Sequence, residues 1–142
     1  MIILFSTTIS LLALAVAGRW ALDFKRAKVS NDKVREISGY IRISAKAYLA
    51  REYRMISYAA AGIFVILLLA LGWKIALGFL VGAVASALAG YIGMIVAVHA
   101  NAITAESAKS SEASAFASSF KGGAVTGLMV AGLALLVISV LY

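Results

Sequence analysis

The sequence predicts an all-α membrane protein, with four transmembrane helices in antiparallel up-down order and cytoplasmic helical extensions. Three observations lead there. Of 142 residues, 63% are hydrophobic and only 13% charged, with a mean hydropathy of +1.00, too little charge to cover a water-soluble surface. Four apolar runs each reach the about 20 residues that a helix needs to cross a bilayer. None alternates at period two, and all exceed the length of a barrel strand, so helices are preferred to a β-barrel. The chain has no proline, which fits uninterrupted helices, and no cysteine, which excludes disulfides and thiolate chemistry.

The chain reads as a single membrane domain, residues 1–142, with spans at about 2–22, 55–73, 75–98 and 122–142. The connecting segments lie at about 23–54 and 99–121. The first span opens "MIILFSTTIS" with no basic side chain, whereas a signal peptide carries its positive charge ahead of the apolar core. Arg19, Lys25, Arg26 and Lys28 follow the core instead, so a retained helix with its N-terminus outside is expected. The turn between spans two and three, "LGWKI", admits only a tight helical hairpin. Trp73 suits the interfacial belt, Lys74 can snorkel to water, and Trp20 and Tyr142 are placed like belt residues at their own boundaries.

Charge sets the orientation. Ten of the thirteen lysines and arginines fall between Arg19 and Arg54, and Lys109 and Lys121 follow span three. Only Lys74 lies at the opposite end, so the two long segments face the cytoplasm and both termini are extracytoplasmic. The net charge of +7 is thus explained by membrane topology rather than by nucleic acid.

Within the first cytoplasmic segment, Val34, Ile37, Ile41, Ala45, Tyr48 and Leu49 share one helical face. Ser30, Asn31 and Asp32 offer N-cap oxygens and Glu36 suits the first turn, so a helix from about Asp32 into span two is expected. Its basic face reads as a solvated surface beside anionic headgroups. A phosphate site is the sharper alternative, but no glycine-rich phosphate loop is present. In the second segment, span three continues as a helix with Glu106 and Lys109 at i,i+3, and "KSSEAS" marks the turn before span four.

The spans lack chemistry. No Asp, Glu, Lys, Arg or His lies deep in any of them, whereas proton and ion carriers use such a group. The six carboxylates, at Asp23, Asp32, Glu36, Glu52, Glu106 and Glu112, form no metal-ligand motif. No nucleophile, base and orienting group can be assembled, and no catalytic, cofactor or metal residue is assigned. His99, the sole histidine, reads as a polar boundary residue at the exit of span three, near Asn101. The spans do carry small-residue faces. Gly78, Gly82, Ser86 and Gly90 recur at four-residue spacing in span three, and Gly123, Gly127 and Ala131 in span four, as in close helix packing.

Three segments together resemble membrane-integral pyrophosphatases, the proton- or sodium-translocating family: "ISGYIRISAKAYLAREY" from Ile37, "GYIGMIVAVHANAITAESA" from Gly90, and "AFASSFKGGAVTGLMVAGLALL" from Ala115. The resemblance covers almost the whole chain and implies the N-terminal four outer-ring helices of a homodimeric pump. The family's enzymes hydrolyse pyrophosphate with magnesium at the cytoplasmic side. Mg2+ and pyrophosphate are implied for the full-length family only, because its acidic motifs lie on later helices. His99 and Ile103 stand where the family usually has arginines, and Ser107 replaces a usual alanine. These residues alone are therefore expected to be non-catalytic, with the bilayer and the remaining pump helices as partners. The rivals are a free-standing four-helix scaffold or accessory subunit and a small transporter, the latter disfavoured by the missing intramembrane charge.

Overall fold

A computed structural model describes residues 1–141, and its elements are four helices. They are α1 (Ile2–Arg26), α2 (Asp32–Leu71), α3 (Trp73–Ser107) and α4 (Glu112–Leu141). All four are long and apolar enough to cross a membrane. The belt placement expected of Tyr142 lies outside the described residues.

Each boundary has a local cause. Helix α1 runs past the expected end near Leu22 to Arg26, because Phe24 is buried and Lys25 and Arg26 suit the negative end of the helix dipole. Helix α2 begins as expected: Asn31 is the N-cap, its side chain accepting from the Val34 N–H, and Asp32 occupies the first turn. At 40 residues, α2 is roughly 60 Å long, about twice the hydrocarbon thickness, so its basic first half stands outside the apolar layer. Span two was expected to reach Trp73. It ends at Leu71, because Gly72 takes φ 88°, a conformation open to glycine, and serves as the sole link to α3. Trp73 therefore starts α3, exposed, with the Lys74 ammonium 5.9 Å from its ring centroid. The turn after α3 falls within the expected serine run, and Ser111 Oγ accepts from the Ser114 N–H in the first turn of α4.

Helix α3 is the central element. It packs against α1, α2 and α4, while α1 packs against α4 and α2 only against α3. The core lies among α1, α3 and α4, where Ala17, Phe24, Val96, Ala100 and Val125 are buried together. Trp20 packs on this core. Helix α2 buries only Leu49. Of the face expected along its first half, Ile37, Ile41 and Tyr48 are exposed. Contact with α3 is made instead around Leu49 and Tyr53, whose hydroxyl donates to the Ala87 carbonyl at 2.6 Å. Tyr53 also meets Tyr91 edge to face, with ring centroids 6.2 Å apart.

The small-residue stripe of α4 requires correction, and that of α3 is used only in part, at Gly90 and, in ordinary contact with Leu141, at Gly78. Gly123 and Gly127 have nothing within 4 Å of a notional Cβ, and neither does Gly82. The close approaches are one register away. A Cβ on Gly122 would lie 2.5 Å from that of Ala100, one on Gly93 2.7 Å from Thr126 Cγ2, and one on Gly132 2.9 Å from Leu14 Cγ. Gly90 faces α2, where a Cβ would meet the Tyr53 hydroxyl at 3.1 Å. In α4 the regular small-residue row of the sequence, Gly123, Gly127 and Ala131, is thus not the one pressed closest, and only the positions of the neighbours show it.

Gly122→Ala should therefore force α3 and α4 apart, costing about 1–3 kcal/mol by overpacking. Gly127→Ala should be neutral or stabilise by up to about 1 kcal/mol through helix propensity. Thermal unfolding in detergent checks the pair, and equal effects would contradict the observed register.

Candidate functional site

The polar side chains converge at one end of the bundle. Helix α2 presents Arg35, Ser38, Gly39 and Arg42 at helical spacing, α3 ends with His99, Ala102 and Ile103, and the α1 exit supplies Phe24, Ala27 and Val29. Together they line a crevice of about 370 Å³. The segment between α1 and α2 is held there by Glu106, both of whose carboxylate oxygens lie 2.8 Å from the Ser30 N–H. That places a negative charge beside the positive end of α2. The expected Glu106–Lys109 pairing is not formed: α3 ends at Ser107, before Lys109, and Glu106 turns to Ser30. Among the described residues, the ion pair present is Arg35–Asp32 at 2.7 Å on the exposed side of α2.

His99 is fixed from both ring nitrogens. Arg42 Nη2 lies 2.9 Å from Nε2, and the Ile95 carbonyl lies 2.9 Å from Nδ1. Arginine only donates and a carbonyl only accepts, so Nε2 accepts, and Nδ1 carries the proton and donates to Ile95. The ring bridges α2 and α3. It has neither the carboxylate partner that would orient a general base nor a second metal ligand. Among the described residues, no three His, Cys, Asp or Glu side chains come together as a metal site. The crevice lining contains no carboxylate and offers guanidinium donors with one hydroxyl, so it suits an acceptor and not a cation.

Sequence reasoning located His99 at the exit of a span and missed its partner. Arg42 lies 57 residues away, and no local pattern distinguishes it from the other arginines of its segment. Asn101, next in the same motif, is exposed and does not line the crevice.

Four long apolar helices, a small-residue core and a cation-rich end define a multi-span helical membrane protein. It belongs to the inorganic H+ pyrophosphatase family, which matches residues 11–142. It is 43% identical over 134 residues to a K(+)-insensitive pyrophosphate-energized proton pump of Methanosarcina mazei, covering 93% of this chain and 20% of that protein. It is 41% identical to the K(+)-insensitive pyrophosphate-energized proton pump 2 of Moorella thermoacetica, covering 93% and 20%. To a K(+)-stimulated pyrophosphate-energized sodium pump of Thermotoga maritima it is 37% identical, covering 94% and 19%. The chain thus spans about a fifth of the length of these relatives.

The chain's single histidine permits a direct check. In 15N NMR, the uncharged His99 ring should carry its proton at Nδ1, and Arg42→Gln should shift the Nε2 resonance. A ring protonated at Nε2 would contradict the bridge.

Proposed function

We propose that these helices form an outer-ring scaffold of a pyrophosphate-energised proton or sodium pump, corresponding to its N-terminal part, and that they do no chemistry themselves. The observation carrying this reading is that the family match extends over residues 11–142 while no ionisable side chain lies deep in any apolar span. The magnesium that such a pump would use does not fit these residues, whose crevice lining holds donors and no carboxylate. Magnesium and pyrophosphate then belong to other helices of the longer assembly, with the bilayer and a second copy of the pump as further partners.

The proposed order is up-down, with the charged end in the cytoplasm and both chain ends outside. Residue pairing supports alternating directions. Along α2 and α3, Arg42 meets His99 while Tyr53 meets Ala87. Along α3 and α4, Gly93 meets Thr126 while Gly78 approaches Leu141. In both pairs one helix number rises as the other falls. Twelve of thirteen basic side chains fall at or near the end that holds the crevice.

Two measurements test the reading. The purified chain with magnesium and pyrophosphate should release no phosphate above background, and sustained turnover would overturn the scaffold role. The absence of native cysteine makes single labels unambiguous. A membrane-impermeant maleimide should reach Lys74→Cys in intact cells and Ser110→Cys only after permeabilisation. Labelling in the opposite order would reverse the orientation.

A further inference from the structure

We propose that the charged end of this bundle holds one anionic phospholipid, its headgroup phosphate in the crevice against Arg42 and an acyl chain in the groove between α1 and α3. The proposal rests on the chain being embedded in a membrane and is independent of ion pumping.

Helices α1 and α2 do not pack on each other among the described residues, so they leave a strip of α3 uncovered between them. Two hollows flank Phe24 and His99 beside that strip. The basic crevice, about 370 Å³, presents Arg35, Ser38, Gly39 and Arg42. The second, about 470 Å³, is walled by Gly18, Ala21 and Leu22 from α1 and by Ile95 and Val96 from α3, with Lys25 as its one charged lining residue. Phe24 and His99 line both. No carboxylate lines either hollow, and although Arg35 is paired with Asp32, Arg42 forms no ion pair among the described residues. The pair therefore forms one amphipathic site with cations at one end and hydrocarbon along the other.

The residues on the page favour one occupant. A free phosphate would fill the basic crevice and leave the apolar groove without a role. A further apolar helix would cover the groove and leave the guanidinium of Arg42 in the crevice without an acceptor. An anionic phospholipid satisfies both parts. Arg42 is pre-oriented for this, because one of its five N–H groups is already engaged by His99 and the residue is exposed. A guanidinium fork matches a phosphate with two parallel hydrogen bonds. The site also lies near the ends of the apolar stretches of α1 and α3, where basic side chains begin in the sequence and headgroups are expected. Two glycines keep it open. Gly39 in the crevice and Gly18 in the groove each have nothing within 4 Å of a notional Cβ, so larger side chains would occupy the hollows without striking the fold.

The test uses the full native product that carries these residues, extracted in mild detergent and supplied with phosphatidylglycerol or phosphatidylcholine. Native mass spectrometry counts the lipid retained. One phosphatidylglycerol per chain should be held, at least about fivefold over phosphatidylcholine. Arg42→Gln should lower retention by a similar factor, while Arg42→Lys should keep part of it. Gly18→Leu, which changes no charge, should also abolish retention by filling the groove, and Lys74→Gln at the opposite end should change nothing. Equal retention of the two lipids, or none, would overturn the proposal. So would displacement by excess inorganic phosphate, which would mark a free-phosphate site. Undiminished binding in Gly18→Leu would show that no acyl chain occupies the groove, and would also overturn it.

Discussion

The bundle depends on how closely α3 and α4 approach at Gly122 and Ala100. In hydrocarbon, lipid tails are as apolar as leucine, so the helices gain little by excluding solvent from one another. Association rests on close van der Waals contact between backbones. Gly122 and Ala100 supply that contact, and Phe24 of α1 closes over the same point, its ring edge 3.9 Å from a notional Cβ on Gly122. The buried cluster of Ala17, Phe24, Val96, Ala100 and Val125 is built around this junction. Its members are mostly small, as close approach requires.

The position of α2 follows from the same constraint. It has no glycine pressed against a neighbour and touches α3 alone, through Leu49 and through Tyr53 seated over Gly90. Its attachment is correspondingly polar: the Tyr53 hydroxyl on the Ala87 carbonyl, and Arg42 on His99. Helix α1, held tightly against α4, and α2, held more loosely on α3, leave the central helix uncovered between them. The crevice at the charged end is a consequence of that unequal packing. An outer helix attached along one face has its remaining apolar surface free for lipid or for other helices, which suits the scaffold role proposed for a chain one-fifth the length of its relatives.

The sequence was informative wherever a residue acts through its neighbours in the chain. Asn31 capped α2 because its side chain needs only the Val34 N–H, three residues on. Gly72 ended the helix by its own backbone freedom, although hydropathy alone carried the span two residues further. The family was legible in three quoted segments because they preserve residue order, which needs no coordinates. The fate of Glu106 was not legible: the local partner Lys109 lies past the helix end, and the actual partner, Ser30, comes from another segment. Arg42 was equally hidden, since its pairing with His99 depends on how α2 lies along α3.

By itself the sequence determined four apolar spans, the concentration of cations between and after them, the start of α2 and the family. Each of these follows from composition, from short-range hydrogen bonding or from residue order. Only the tertiary structure decided which glycines carry the packing, Gly93, Gly122 and Gly132 rather than Gly123 and Gly127. It also decided that Ile37, Ile41 and Tyr48 stay exposed, that His99 bridges α2 and α3, and that a basic crevice and an apolar groove share Phe24 and His99. The physical reason is shared by all of them. A glycine row, an amphipathic face or a lone histidine states what a helix can offer, and its use depends on the rotation and depth at which a neighbouring helix meets it.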